Sequence, residues 1–569
     1  MIQCPNCGGL LKFDVASQQM KCDSCSSLFD PYAFEASGAE ESTDYDVTIF
    51  RCPQCGGEIT STDETAAGFC SYCGSSNVLE SRISKEKRPQ LIIPFKKTKK
   101  DCTNAFEKFV KRAIFAPNAY RAAGKADSFR GIYMPYWLYD MSQRGDINVA
   151  SSDSHRSGDY IITDHYMMRG KLDCYYNGVS YDASSSFADD ISSDIAPYNV
   201  KDITKFSPSF LSGYYADIAD VGSEVYKNTA IDLARESTYN YLKKSSPMSK
   251  HSFDTPKEKV KEGFHTNVNV TRSAMFPVWF MSYRTRDRVA YATVNGQTGK
   301  VSADVPMSIP KYLVCALAIA AVLFAVFQMF FTITPKILVL VVALIGMISV
   351  LLYGSEMKKI ISLENYDDDL GMLDKEKRVE EKKRARVQAQ AGATFDGVQG
   401  SGTDAYVVTK NDLARAKREK AKQKKAKKDS AGCFVWLIVG IFIFMGGGSF
   451  FFASLGEILD TGNLGLAGAL IALIFLIVSV ISTISSWKNL SQMKTKKLMP
   501  ASVWSTVSIL LITIITATNS INDTLYYIIS IIAMVGVLLN IIGIIGNYNL
   551  LATRPLPQFE MYQGGDDRA

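Results

Sequence analysis

Positive charge is almost missing from the front of this 569-residue chain. Met1 to Glu80 holds three basic residues, Lys12, Lys21 and Arg51, against twelve acidic ones. Lys and Arg contacts to phosphate supply most nucleic-acid affinity, so the front end is a poor nucleic-acid binder. A secretory signal is lacking too: Met1-Ile2-Gln3-Cys4 carries neither a basic n-region nor an apolar h-region. Histidine is scarce. His155, His165, His251 and His265 are the whole set, and none forms His-Glu-x-x-His. No Gly-x-Ser-x-Gly and no complete nucleotide-binding loop occur, so no catalytic residue is assigned and the chain is not expected to be an enzyme. Gly296-Gln297-Thr298-Gly299-Lys300 faintly resembles a phosphate loop, but Val301 stands where Ser or Thr would bind magnesium. A hairpin turn is the expectation there.

Charge is also absent from the interior of six apolar runs: Tyr312–Phe331, Lys336–Tyr353, Cys433–Ala453, Leu464–Ser486, Ser502–Thr518 and Thr524–Gly546. A helix needs about 20 apolar residues to cross the hydrocarbon, and these six are expected to do so. Without intramembrane ionisable groups a coupled transporter is excluded. Gln328 and Asn540 are expected to bond between helices. The short links Thr332–Pro335, Ser454–Asn463 and Asn519–Asp523 hold no Lys or Arg, whereas Trp487–Ala501 and Gly354–Gly432 are basic. The positive-inside rule then places both termini in the cytoplasm of a multi-pass cell-membrane protein.

What is present is cysteine in register. Cys4-x2-Cys7 and Cys22-x2-Cys25 recur 48 positions later as Cys52-x2-Cys55 and Cys70-x2-Cys73. Cys-Pro-x-Cys-Gly-Gly opens both copies, which marks an internal duplication. A tetrahedral Zn²⁺ takes four soft ligands, two from each knuckle, and four protein ligands close the site. Two structural zinc ions are therefore expected on Cys4, Cys7, Cys22 and Cys25 and on Cys52, Cys55, Cys70 and Cys73. On the cytoplasmic side such thiols bind metal instead of forming disulfides.

The expected architecture is multidomain. Two small β zinc ribbons (1–40 and 48–82) precede an α+β cytoplasmic domain (89–310). An all-α transmembrane region of about six helices follows: a hairpin (312–353), a basic cytoplasmic linker (354–432), four helices (433–546) and a cytoplasmic tail (547–569). Within the α+β domain, Asp101–Ala113 and Val221–Lys244 have helical patterns. Gly131–Met141 is an aromatic strand, and Met275–Arg284, Arg288–Val294 and Lys300–Ala303 form a meander. Pro135 and Pro277 suggest edges or bulges. Asp189, Asp190 and Asp194 are expected in a solvated loop.

Lys410–Lys428 holds ten basic residues and two acidic ones just before the third run. Lys417, Arg418, Lys420, Lys422, Lys424, Lys425, Lys427 and Lys428 are the expected contacts to anionic lipid. An enlarged positive-inside signal weighs equally, and RNA is disfavoured without interleaved aromatics.

Ile92-Ile93-Pro94-Phe95-Lys96, Phe115-Ala116-Pro117, Gly131-Ile132-Tyr133-Met134-Pro135-Tyr136-Trp137 and Phe276-Pro277-Val278-Trp279…Val294-Asn295-Gly296-Gln297-Thr298-Gly299-Lys300-Val301 join the doubled knuckles in one pattern. Over Met1–Tyr353 that pattern resembles the TFIIB-type zinc-ribbon integral membrane proteins of Gram-positive bacteria. Members are frequently labelled primosomal protein N′, replication factor Y or helicase, an activity this chain does not support because it lacks the ATP loop. The resemblance implies a scaffold or adaptor in a membrane-stress complex, with SPFH-domain, TPM-domain and phage-shock-protein-A-like partners. The alternatives are a membrane-tethered nucleic-acid binder acting through Lys410–Lys428, or a passive channel or lipid-handling protein regulated by its ribbons.

Overall fold

The computed structural model describes residues 2–34, 44–61, 70–73, 80–123, 129–245, 248–285, 287–330, 335–364, 369–375, 377–378, 381, 465–491 and 499–557. The expected run Cys433–Ala453, the lipid contacts Lys417–Lys428 and most of the linker lie outside the described residues. The chain forms two compact units. One comprises Met1–Ser308, Ser362–Arg384 and Leu550–Ala569, the other Ile309–Ile361 and Ala385–Asn549.

The first unit opens with a three-stranded antiparallel ribbon: β1 (Leu11–Asp14), β2 (Gln19–Cys22) and β3 (Leu28–Phe29). Alternation turns Leu11 and Phe13 inward while Lys12 faces out. Asp14 closes the β1–β2 turn by accepting both the amide and the hydroxyl of Ser17, which holds its carboxyl below the usual range. The second ribbon contains β4 (Asp44–Arg51), β5 (Glu58–Ser61) and β6 (Glu80–Lys87), with β4 in the middle. It starts before residue 48 and takes in part of the basic Arg82–Lys100 stretch.

The two copies are attached differently. The first ribbon keeps its own sheet and is held mainly by side chains, with one backbone bond from the Phe13 amide to Ser212 O at 3.1 Å. Phe13 meets Phe210 edge-on at 5.1 Å, Ser212 Oγ donates to Leu11 O at 2.6 Å, and Gln18 Nε2 donates to Phe95 O at 2.8 Å. The second ribbon merges into the central sheet. Its β5 pairs antiparallel with β11 (Tyr215–Ala216), which runs parallel to Ile132–Tyr133 of the central sheet.

The central sheet is dominated by two strands, β8 (Arg130–Ser157) and β13 (His265–Thr285), paired antiparallel. On its other side β8 forms a long hairpin with β9 (Tyr160–Asp182). Strands β7 (Leu91–Ile92), β10 (Thr204–Lys205), β12 (Ser252–Phe253), β14 (Arg288–Asn295) and β15 (Val301–Ala303) extend it. Period-two alternation gives the sheet two apolar faces. Tyr133, Met275, Trp279 and Met281 face Phe106 and Val110 of α1 (Lys99–Arg112). Ile132, Met134, Phe276 and Val278 face Ile191 and Ile195 of α3 (Asp189–Ile195). A short α2 (Asn118–Ala123) follows α1, and α4 (Glu224–Lys244) and α5 (Lys257–Glu262) flank the β8–β9 hairpin. The Thr98–Asp101 capping box starts α1 by satisfying both backbone amides reciprocally.

Three expectations are corrected. Pro135 and Pro277 stand in the central pair, not at edges. Each falls where its strand changes partner on one side. Pro135 lies between the residues of β8 that pair with β11 and those that pair with β9. Pro277 lies between the β7 and β14 pairings of β13. A missing N–H is tolerated at such a handover. The strand expected over Gly131–Met141 is 28 residues long. Finally, Asp189, Asp190 and Asp194 belong to a helix instead of a loop; Asp190 and Asp194 are solvated as expected, and Asp189 is not. Asp189 accepts from the Tyr226 hydroxyl at 2.6 Å and the Leu370 amide at 2.8 Å.

The meander and the hairpin turn are present as expected, with Gly299 at φ +80° in the turn. Phe95 explains why the dispersed motifs belong together. It stacks on Tyr214 at 4.4 Å and contacts Tyr133 and Trp279 at 4.9 and 5.0 Å. Gly296 lies against it: a Cβ there would sit 2.6 Å from the Phe95 ring and 2.8 Å from Pro277 Cβ. Gly296→Ala is therefore expected to destabilise the first unit by about 1–3 kcal/mol through overpacking. A lowered thermal midpoint of the detergent-solubilised protein checks this; an unchanged midpoint refutes it.

The second unit contains α6 (Ile309–Phe330), α7 (Pro335–Glu364), α8 (Gly465–Leu490), α9 (Ser502–Thr518) and α10 (Asp523–Leu551). Among the described residues three helices are long and apolar enough to cross a membrane: Pro335–Glu364, Gly468–Leu490 and Asp523–Leu551. The apolar helices Ile309–Val322 and Ser502–Thr518 are shorter, so the expectation of six long spans is met only in part. Val339, Ala343, Ala472, Ile509, Ile512 and Ala533 form its core. Asn540 Nδ2 donates to Ser349 Oγ at 2.9 Å, the interhelical bond expected of it. Gly536 and Gly543 permit close approach, since a Cβ at either would collide with Ser508 or Ala501.

Candidate metal centres

Each cysteine set is brought together by the same local device. In the first knuckle the Cys4 amide donates to Gly9 O at 2.7 Å and the Gly8 amide to Cys4 O at 2.9 Å. In the second, the Cys52 amide donates to Gly57 O at 2.9 Å and the Gly56 amide to Cys52 O at 2.8 Å. Gly8 and Gly56 have φ of +74° and +72°, a conformation glycine adopts without strain. In the first ribbon the β1–β2 pairing folds the downstream knuckle back, with Leu11 opposite Cys22, and in the second Arg51 pairs with Glu58 across the upstream knuckle.

Within each set the four sulfurs lie within 4.8 Å of one another. Cys4–Cys25 and Cys7–Cys22 separations are 3.6 and 3.4 Å, and Cys52–Cys73 and Cys55–Cys70 are 3.8 and 3.7 Å. A tetrahedron with metal–sulfur bonds of about 2.3 Å has edges of about 3.8 Å, so the geometry fits an ion of zinc's size. Electrostatics agrees. Hydrogen bonding to Cys52 and burial push the Cys55 and Cys70 thiols up, so four thiolates cannot crowd there without a cation. Each group could hold one metal ion.

The centres differ in their surroundings. Cys4 and Cys22 are buried, but Cys7 and Cys25 are exposed. All four cysteines of the second centre are buried, beside Phe50, Ile59 and Tyr72. Ser27, which sequence reasoning passed over, lies 3.2 Å from Cys25 Sγ and accepts from Asn6 Nδ2 at 3.0 Å. Hydrogen bonding from Ser27 holds the Cys25 thiol down to about 6. A signal for it existed in the duplication, where Ser75 stands 48 positions after Ser27.

Sequence reasoning also missed a set of buried carboxylates in the first unit. Burial pushes Asp217 and Asp369 up to about 7 and Asp304 to about 6. Asp304 and two less buried carboxylates, Asp190 and Asp220, tie down the chain where it re-enters this unit. Lys375 pairs with Asp220 at 2.9 Å, and Arg554 bonds Asp190 and lies 4.0 Å from Asp304. Arg554–Pro555 forms a further strand, β16, on β14, within what was expected to be a tail. Nothing in their spacing reveals this, because the partners lie far apart in sequence.

Two four-cysteine centres in a sheet-rich unit, in a chain that also carries long apolar helices, fit a zinc-binding membrane protein. A search for relatives finds a distant one in Bacillus subtilis (strain 168), an uncharacterized protein called YdjG. It is 27% identical over 315 residues, covering 54% of this chain and 90% of the relative. No family model and no solved structure matches the chain.

Proposed function

We propose that this protein is a zinc-binding integral membrane adaptor, without catalytic activity of its own, that organises a membrane-associated protein complex. One observation carries the reading. The first unit is a single body made of three chain stretches, and the stretches between them hold the apolar helices. A body cannot straddle the bilayer, so each intervening stretch must cross an even number of times. Between Ser308 and Ser362 that number is two, α6 and α7. Between Arg384 and Leu550 the described helices number three, and the apolar run Cys433–Ala453 in the sequence supports a fourth crossing. This supports a reading of six crossings with both termini on one side. The basic links favour the cytoplasm as that side.

On this reading both cysteine centres hold structural zinc and fix a partner-binding surface. The acidic first 80 residues favour protein over nucleic acid as the ligand. The basic residues Lys417–Lys428 hold anionic lipid beside the third crossing. The resemblance to TFIIB-type zinc-ribbon membrane proteins makes SPFH-domain, TPM-domain and phage-shock-protein-A-like proteins the first partners to seek.

Affinity capture from detergent-solubilised native membranes tests this. Proteins retained by the native chain and lost with Cys52→Ser/Cys55→Ser are expected. Identical capture by both, or turnover of a nucleotide or peptide by the purified protein, would overturn it.

A further inference from the structure

The duplication supplies its own control. Both centres have the same spacing, the same knuckle hydrogen bonds and the same thiol count, yet they differ in access. Cys52, Cys55, Cys70 and Cys73 are at most 2% exposed, whereas Cys7 and Cys25, the second cysteine of each pair in the first centre, face solvent. The cause is the mode of attachment. Side-chain packing of the first ribbon covers Cys4 and Cys22 but leaves the far half of the centre open. The second centre is covered by Phe50, Ile59 and Tyr72, and Tyr72 in turn packs edge-on against Phe280 of β13.

We propose that the first four-cysteine centre is a peroxide-sensitive site that releases its zinc through oxidation of Cys7 and Cys25, while the second retains its metal. The inference rests on the zinc reading above. Oxidation needs contact between a thiolate and the oxidant, so access decides which centre reacts. The Cys7 or Cys25 thiolate attacks one oxygen of hydrogen peroxide. An S–O bond forms, the O–O bond breaks, and the departing hydroxide takes a proton from solvent. The other thiolate, within 4.8 Å, attacks the sulfenic sulfur. An S–S bond forms, the S–O bond breaks, and a second hydroxide leaves as water. Two thiolates give up two electrons to one peroxide, and zinc loses two of its four ligands. The Cys25 thiol donates to the Ser27 hydroxyl at 3.2 Å, a contact that orients its sulfur.

The test uses the full-length, detergent-solubilised protein. Elemental analysis should find two zinc ions per chain; fewer would overturn the zinc reading and this inference with it. With two present, hydrogen peroxide is added beside a chromogenic zinc chelator. One equivalent is expected to leave at least tenfold faster than the other, with two thiols lost, and zinc with dithiothreitol should reload it. Peptide mapping of the native chain should place the disulfide between Cys7 and Cys25. Cys7→Ser/Cys25→Ser should lack the fast phase and keep the slow one. Release of both ions at one rate overturns the inference and leaves the zinc reading intact. So does a fast-phase disulfide among Cys52, Cys55, Cys70 and Cys73.

Discussion

Cys55→Ser is expected to unfold the second ribbon and to open the sheet edge it continues. Cys55 is 1% exposed, and its three partner thiols are buried with it. Removing one ligand leaves three thiols that burial and mutual contact keep from ionising, so the remaining set loses its cation. Structural zinc contributes about 10–16 kcal/mol of folding free energy in small ribbons, more than a few buried side chains replace. Damage should spread because attachment is through the backbone. Strand β5 pairs with β11, β11 pairs with β8, and Thr60 Oγ1 donates to Ala216 O at 2.9 Å. Hydrogen exchange should accelerate over Glu58–Ser61 and Tyr215–Ala216, while metal content falls from two ions to one. Cys4→Ser should be milder outside the ribbon, because the first ribbon contributes side chains but no strand to the central sheet. Equal exchange at Tyr215–Ala216 in native and Cys55→Ser protein would contradict this coupling.

Asp217→Asn is expected to stabilise the first unit at alkaline pH and to remove part of its pH dependence. The Asp217 carboxylate is buried, accepting from the Ser184 hydroxyl and the Ile218 amide. Burial raises it from 3.8 to about 7. Across that interval the folded state holds a proton that the unfolded state has lost. Stability then falls as pH rises through the interval, and levels off above the folded value. A shift of about three units corresponds to about 4 kcal/mol at most. Asp304 and Asp369, raised to about 6 and 7, act with the same sign. Asn cannot ionise, so the variant's gain should grow from about half its full size near pH 5.5 to the whole near pH 8. Below that, protonation of the zinc thiolates would intervene. The ratio of hydrogen-exchange protection between variant and native protein over Arg130–Met141, followed from pH 5.5 to 8, measures the difference directly. Parallel curves would mean that Asp217 is not the group responsible.

The two predictions touch parts of the protein that were unequally legible beforehand. The cysteine centres were readable because metal ligation imposes short spacings: two residues within a knuckle and fourteen between knuckles. The apolar helices were readable for a similar reason, since bilayer thickness fixes a run length. Asn540 could be picked out because a polar amide in an apolar run needs a partner, and Ser349 provides it. The meander at Met275–Ala303 followed from alternation and from Asn295-Gly296.

Other features depend on residues far apart in sequence. Proline at 135 and 277 reads locally as an edge or a bulge, yet both positions are central and paired in register. Whether a missing N–H matters depends on which strand lies beside it, and the handovers between β11 and β9 and between β7 and β14 are tertiary facts. Asp189 reads as a solvated loop in a Ser/Asp-rich stretch, but its acceptor role is filled by Tyr226 and Leu370.

The sequence by itself determined the ligand sets, the apolar helices and the two-part character of the chain, because each is set by a local period or spacing. Tertiary structure alone decided that one ribbon keeps a separate sheet while its duplicate joins the central one. It also decided that Cys7 and Cys25 stay exposed while their counterparts are buried. Identical motifs acquire different accessibility because burial is a property of the neighbours that long-range contacts bring together.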